Sequence, residues 1–229
     1  MRGKLLALCA FIVVGYMGCK QEAYKVPLPA PASSIFPQIN GSTWQYRDSL
    51  YGLPTDTFPL RGPHNDILTV TINSGTTDFN SLICYDAEVQ SQVYATTTPA
   101  YYAVLQHKDY LLVSSPPWGL TTLQVLVDTA SVGYEWYSTP TMTGLLNGNP
   151  VITYNTVLEK NITRVVNGTT FTNVTHTTSN FQVNINNNGF HNVANFDFYL
   201  AKGVGLIEKD VNYYGLLNET ETLMSYSIK

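Results

Sequence analysis

Charged residues and cysteines are both scarce in this chain of 229 residues. Only 12% of the residues are charged, with 12 Lys and Arg against 16 Asp and Glu. A net charge of −4 lacks the basic excess that nucleic-acid binding requires, so the composition argues against a nucleic-acid partner. Two of the three cysteines lie in the first 19 residues, which leaves Cys84 alone in the remainder and excludes a disulfide there.

The sequence also lacks the short motifs of common enzymes. It has no Gly-x-Ser-x-Gly elbow, no phosphate-binding Gly-Lys-Ser/Thr loop, no His-Glu-x-x-His and no Asp-rich calcium loop. Its four histidines are scattered, and none of them has the i, i+4 spacing of a metal pair on a helix. We therefore predict a protein that is not an enzyme, with no catalytic residues, no cofactor and no metal.

Long hydrophobic runs are missing as well, and the longest one sits at the N-terminus. The apolar stretch 5–14 is too short to span a bilayer, and it follows the basic residues Arg2 and Lys4. The segment Tyr16-Met17-Gly18-Cys19 resembles the bacterial lipobox, in which the cysteine is acylated after cleavage. We predict a signal peptide at residues 1–18 and lipidation at Cys19.

A proline-rich stretch follows this cysteine. Four prolines between residues 27 and 37 stand among small residues, which favours an extended polyproline-like chain. We predict that residues 19–37 form a tether and that residues 38–229 form one globular domain. The lipid anchor implies the membrane as a partner and an outer-membrane location in the cell envelope, periplasmic or surface-exposed. Cleavage by an ordinary signal peptidase and secretion is the alternative.

Beyond the tether the apolar residues recur with period two, which is the spacing of half-buried strands. Examples are Leu68, Val70 and Ile72, and later Phe181, Val183 and Ile185. Asn167-Gly168 lies between two such segments and is typical of a type I′ hairpin turn. We predict an all-β fold with an antiparallel sheet and at most one or two short helices. Periodicity leaves a β-sandwich, a barrel and a curved half-barrel equally open.

Two segments carry a resemblance to a protein family. They are Gly41-Ser42-Thr43-Trp44-Gln45-Tyr46 near the start of the domain and Ala201-Lys202-Gly203-Val204-Gly205-Leu206-Ile207 near its end. In these segments the chain resembles uncharacterised secreted lipoproteins of the Bacteroidota. The resemblance implies a β-rich envelope protein and supplies no catalytic residues. From the residues themselves, Gly203 and Gly205 indicate a bulge or a close strand approach.

Aromatic side chains are the strongest candidates for ligand contacts, because flat rings with polar tips suit exposed binding surfaces. The candidates are Tyr101, Tyr102, Tyr134, Trp136, Tyr137, Tyr213 and Tyr214. In each of the adjacent pairs Tyr101-Tyr102 and Tyr213-Tyr214, one ring should point away from the core. Two carboxylate pairs at strand spacing, Asp86 with Glu88 and Glu208 with Asp210, also share a face. Cys84 is expected to be a buried thiol.

Together these features predict a lipid-anchored envelope protein whose β domain is a non-enzymatic binding or structural module. One alternative is a glycan-binding or glycan-processing accessory lipoprotein, which outward-facing aromatic rings beside a carboxylate pair would favour. Another is a carrier of a lipid-like ligand, which a closed apolar cavity would favour.

Overall fold

The computed structural model describes residues 35–52, 64–79, 82–115, 119–141, 143–213 and 217–229. The predicted signal peptide, Cys19, most of the predicted tether and Tyr214 lie outside these residues. Within the described ranges the regular structure is almost entirely strand, with one 3-10 turn at Ile185–Asn187. No helix in these ranges has the length and apolar character to cross a membrane.

The strands follow in chain order as β1 (Thr43–Gly52), β2 (His64–Phe79), β3 (Leu82–Ser91), β4 (Thr97–Leu105), β5 (Lys108–Ser115), β6 (Gly119–Val127), β7 (Glu135–Ser138), β8 (Leu145–Leu146), β9 (Asn149–Val166), β10 (Thr169–Asn184), β11 (Phe190–Ala201), β12 (Gly205–Tyr213) and β13 (Leu217–Ser227). Their order in the sheet is β6-β5-β4-β3-β2-β1-β13-β12-β11-β10-β9-β7, and β8 pairs with β9. The pairing of β1 with β13 therefore joins the two ends of the domain.

The terminal strands of this order, β6 and β7, lie close to each other. A bridge pairs Thr121 with Thr141, and the Thr122 N–H donates to the Pro140 carbonyl at 2.6 Å. The hydroxyl of Thr177 in β10 also reaches β6, donating to the Val125 carbonyl at 2.7 Å. The all-β prediction is confirmed, and among the three arrangements left open the sheet forms a nearly closed antiparallel barrel.

Alternation along the strands directs one set of side chains into the barrel, as the period-two pattern predicts. Leu68, Val70 and Ile72 of β2 belong to the main buried cluster. The pattern ends earlier than expected in β10, because Ile185 lies exposed in the 3-10 turn. Asn186 in this turn has a φ of +54°, a conformation that Asn tolerates better than most residues and that does not fit a strand.

The last residues of the predicted tether belong to the core. Ile35, Phe36 and Gln38 are buried, and the Phe36 ring lies 5.5 Å from that of Tyr102. These side chains fill one end of the barrel beside Trp44. The packed domain thus includes Ile35, three residues before the boundary expected at 38, because two large apolar side chains there find a place in the core.

The two motif segments are joined by hydrogen bonds that pass over β13, the strand between them. The Trp44 indole N–H donates to the Val204 carbonyl at 2.7 Å, and the Tyr46 hydroxyl donates to the Leu206 carbonyl at 2.9 Å. Between them, Gly205 has a φ of +99° and lies so close to Phe36 that a Cβ would come within 3.1 Å of its ring. The Phe36 ring packs closely against Gly205 because this residue has no side chain.

The other glycines singled out from the sequence lie in turns. Gly203, with φ +77°, occupies the turn before β12, where a Cβ would meet nothing within 4 Å. Asn167 and Gly168 connect β9 to β10 with φ values of +47° and +79°. Val166 pairs with Thr169 directly across this two-residue loop, as in a type I′ hairpin.

Replacing Gly205 and Gly203 by alanine should separate backbone strain from crowding. Both positions have positive φ, so Gly203→Ala should lower the free energy of unfolding by about 1–2 kcal/mol. Gly205→Ala should cost about 2–4 kcal/mol, because its new methyl group also presses on Phe36. Urea unfolding of the full chain measures both, and equal losses would contradict a role for the Phe36 contact.

Candidate functional site

The barrel divides the predicted aromatic residues between its two faces. Tyr102, Trp136 and Tyr213 point inward: Trp136 is only 8% exposed and packs with Val127 and Val157, while Tyr213 lies edge-on to Phe196. These three rings pack inside the barrel, so they do not form a binding surface that faces solvent. Tyr101 and Tyr137 lie on the outer face, and Tyr134 is partly exposed but stacks on Trp136.

Tyr137 lies on the edge strand β7, and Tyr134 directly precedes this strand. Tyr137 is 68% exposed, and its ring lies 5.0 Å from that of Tyr154 on the neighbouring strand β9. A hydrogen bond to Glu135, supported by burial, raises the pKa of Tyr154 to about 12. Tyr154 therefore keeps its hydroxyl protonated at neutral pH, and the two rings present aromatic surface to solvent.

Tyr101 lies in a groove on the outer face of β2, β3 and β4. Asp86 and Tyr101 stand directly opposite each other in the ladder between β3 and β4, and Glu88 stands opposite Pro99. The groove has a volume of about 300 Å³ and is open to solvent. Its polar and aromatic lining consists of Asn73, Thr77, Asp86, Glu88, Thr97 and Tyr101.

Two contacts fix the Asp86 carboxylate in this groove. Its Oδ1 accepts a hydrogen bond from the Thr77 hydroxyl at 2.8 Å. Its Oδ2 lies against Gly75, where a Cβ would come within 2.3 Å of it. The register of β2 on β3 shifts between Ile72 and Thr76, and this bulge brings Gly75 and Thr77 around the carboxylate.

The Tyr101 ring is held by a small apolar cluster on the same outer face. Phe79 packs edge-on against it at 4.8 Å, and the fully buried Cys84 and Ala103 lie beneath. Burial, with Asp86 and Asp78 nearby, raises the pKa of Cys84 to about 12. This thiol stays protonated at neutral pH and acts as an apolar side chain.

Inside the barrel, three carboxylates surround one lysine. Lys209 of β12 forms ion pairs with Glu219, at 2.8 Å, and with Glu221 of β13. Asp48 of β1 lies opposite Glu221 in the ladder, and oxygens of the three acids lie within 4.8 Å of one another. Such spacing suits a small cation, and the ammonium group of Lys209 supplies a positive charge at this place.

Burial shapes the proton affinities in this interior cluster. It raises the pKa of Glu221, Lys209 opposes that rise, and Glu219 and Asp48 add to it. For Lys209, burial alone would lower the ammonium pKa, but Glu219 and Glu221 raise it well above its usual value. The lysine therefore stays charged and serves as the counter-ion for the acids.

A second cluster on the outer face surrounds His176 of β10. Its Nδ1 lies 3.0 Å from a Glu159 oxygen, and its Nε2 lies 3.0 Å from an Asp197 oxygen. The imidazole stacks on Tyr199 with ring centroids 4.2 Å apart, and the Arg164 guanidinium lies 3.4 Å from the centre of the Tyr199 ring. Burial alone would lower the pKa of His176, but the hydrogen bonds to Asp197 and Glu159 raise it.

The predicted carboxylate pair Glu208 and Asp210 belongs to this outer surface. Arg164 donates to both oxygens of Glu208, at 2.7 Å each, in a bidentate ion pair. Asp210 accepts a hydrogen bond from the Thr220 hydroxyl at 2.8 Å. Each acid has its own structural partner, which favours a role in cross-strand pairing over shared acid–base chemistry.

The fold has relatives among solved structures. A candidate lipoprotein from Parabacteroides distasonis superposes with a TM-score of 0.51, at 10% identity, over 86% of this chain and 99% of its own. A candidate exported protein with a YmcC-like fold from Bacteroides fragilis gives 0.48, at 10% identity, over 85% and 99%. A β-barrel-like protein of the DUF1849 domain family from Brucella abortus gives 0.42, at 8% identity, over 83% and 98%.

No family model matches the chain, and no curated protein matches it in sequence. At 10% identity the first of these likenesses concerns the fold alone. Within that fold, the side chains of this chain have to carry any argument about function.

Sequence reasoning missed the two charged clusters, although part of the signal was present. Glu219 and Glu221 share the strand phase of the buried Leu223, and Lys209 shares that of Ile207 and Val211. Charges at apolar phase indicate an interior ion pair. For His176 the partners lie 17 and 21 residues away along the chain, so only the strand register brings them together.

Removing the interior lysine should leave the acids without their counter-ion. Lys209→Met should lower the free energy of unfolding at pH 7 by about 3–5 kcal/mol, because buried carboxylates then lack compensation. Lys202→Met, in the exposed turn before β12, should change it by less than about 0.5 kcal/mol. Urea unfolding of the full chain distinguishes the two, and a small loss at Lys209 would contradict the counter-ion role.

The raised pKa of His176 gives a defined pH dependence. The stability that its protonated form contributes is complete below the ordinary pKa of about 6.5 and is lost as the pH rises through the higher folded value. The difference in unfolding free energy between the native chain and His176→Gln should thus shrink from pH 6 to pH 9. His191→Gln, at an exposed position, is the control, and a difference independent of pH would exclude the ion pairs as its source.

Proposed function

We propose that this protein is an envelope lipoprotein that displays a non-enzymatic binding domain from the outer membrane. The leader, the lipobox-like segment and Cys19 support the anchor. Secretion without an anchor is the alternative location. The structural relative from Parabacteroides distasonis, itself described as a candidate lipoprotein, agrees with the proposed setting.

In this proposal, the proline-rich segment between Cys19 and Ile35 separates the domain from the membrane. In a polyproline-like conformation its 15 intervening residues would extend about 45 Å, at about 3.1 Å per residue. A domain held at that distance would meet soluble or surface-bound molecules with its outer face. We therefore expect the ligand on the outside of the barrel.

The binding role is supported mainly by the difference in volume between the interior of the barrel and the groove on its outer face. At the end beside Phe36 and Trp44, the interior retains about 10 Å³, which is room for about one water molecule. The groove on the outer face offers about 300 Å³. This contrast favours an external ligand over the alternative of a lipid-like cargo held inside this end of the barrel.

The chemistry of the nucleophilic and acidic groups supports a binding role over catalysis. Cys84 is a protonated, buried thiol, and the acids Glu208 and Asp210 are held by Arg164 and Thr220. Asp86 and Glu88 remain as an outward carboxylate pair with an aromatic ring beside them. Of the alternatives set out from the sequence, this arrangement favours glycan binding, with glycan processing as an outcome that the tests below would reveal.

The anchor is tested by fatty-acid labelling of cells that produce the full chain. The native protein should incorporate radioactive fatty acid and sediment with the membranes, because Cys19 carries the acyl chains. Cys19→Ala should lose the label and leave the membrane fraction, whereas Cys9→Ala, within the leader, should keep both. Equal labelling of Cys19→Ala and the native protein would overturn the lipoprotein proposal.

A further inference from the structure

We propose that the outer groove of β2, β3 and β4 is a binding site for an uncharged carbohydrate, with Asp86, Glu88 and Tyr101 as its main contacts. This inference rests on the proposed binding function and gives its ligand a chemical class. It depends on three properties of the groove: its size, the spacing of its acceptors and the sign of its charge.

The size of the groove fits one part of an extended ligand. About 300 Å³ is at the lower end of the range for small-molecule sites. The groove is also open to solvent, so that a chain of sugar units could continue beyond it. A short section of an oligosaccharide suits this shape better than a compact cofactor that needs enclosure.

The hydrogen-bonding groups are spaced for hydroxyl groups on different edges of a sugar ring. Asp86 and Glu88, two residues apart on β3, project from the same face, and their Cα atoms are about 7 Å apart. Hydroxyl donors to carboxylates form short, strong hydrogen bonds. The Thr77 hydroxyl holds one oxygen of Asp86 in place, and Asn73 and Thr97 add an amide and a hydroxyl to the lining.

Tyr101 supplies the apolar contact that polyols need in addition to hydrogen bonds. Its ring stands opposite Asp86 in the ladder, and Phe79 fixes its orientation from the side. Aromatic rings in proteins combine large apolar faces with a polar tip, which suits the mixed surface of a sugar. A ring held by its neighbours loses little conformational entropy when a ligand binds.

The charge of the groove decides between classes of ligand. Its described lining contains two acids and no lysine, arginine or histidine, so it would repel acidic glycans. A single calcium ion is a poor fit, because it takes about six to eight oxygen ligands and this lining offers only two carboxylates. An uncharged glycan satisfies the acceptors without either difficulty.

The test measures binding of defined oligosaccharides to the full chain in detergent by isothermal titration calorimetry. The probes are cellohexaose, maltohexaose, xylohexaose and mannohexaose as uncharged ligands, with oligogalacturonate as the acidic one and chitosan hexamer as the cationic one. At least one uncharged probe should bind, and the acidic probe should not. Hydrolysis of a bound probe, followed by chromatography, would replace the non-enzymatic binding role with glycan processing.

Variants locate the site. Glu88→Gln and Tyr101→Ala should each weaken binding of the uncharged probe by about tenfold, because they remove a charge-assisted acceptor and the ring contact. Tyr101→Phe should stay within about twofold, since the ring remains. Tyr137→Ala, which removes an exposed ring on β7, is the matched control and should bind like the native chain.

Other results would overturn the inference. These are no binding of any uncharged probe, binding of the acidic or cationic probe alone, or binding that Glu88→Gln and Tyr101→Ala leave unchanged. Because Glu88 is exposed, Glu88→Gln should unfold like the native chain, so its loss of binding reports on the groove. A negative result in the carbohydrate-binding test does not affect the fatty-acid labelling of Cys19. The anchor and the glycan site are therefore tested separately.

Discussion

The fold depends on the contact that joins its beginning to its end. Trp44 and Tyr46 donate hydrogen bonds to backbone carbonyls about 160 residues later, while Phe36 fills the space beside Gly205. Buried backbone carbonyls need such partners, because an unpaired polar group in the core is costly. The same rings supply apolar area to the main core. The pairing of β1 with β13 is thus reinforced from inside the barrel.

Much of this fold could be predicted from local patterns, and its closure could not. Period-two alternation indicates the strands, and Asn167-Gly168 indicates a hairpin, because both signals lie within a few residues of each other. The choice among sandwich, barrel and half-barrel depends on which edges meet. Here the barrel results from the pairing of β1 with β13 and from the proximity of β6 and β7. Local periodicity does not predict either contact.

The candidate site shows the same limit. The pair Asp86 and Glu88 is visible in the sequence, but the groove also needs a bulge in β2 and the register that places Tyr101 opposite Asp86. The aromatic candidates could be listed, yet their faces could not be assigned, and Trp136 lies in the core. The charged partners of Lys209 and His176 lie on neighbouring strands, and the sequence does not show how those strands are aligned.

The narrow junction between β6 and β7 has a consequence for motion. Elsewhere, separating two strands means breaking a ladder of backbone hydrogen bonds. In the described residues these two edges share a single bridge and the bond from Thr122 to Pro140, and the Thr177 hydroxyl of β10 adds one contact to β6. Few backbone hydrogen bonds have to break there, so opening at this junction costs less than separating two strands that share a full ladder. The barrel can therefore open locally at this junction while its other strands stay paired.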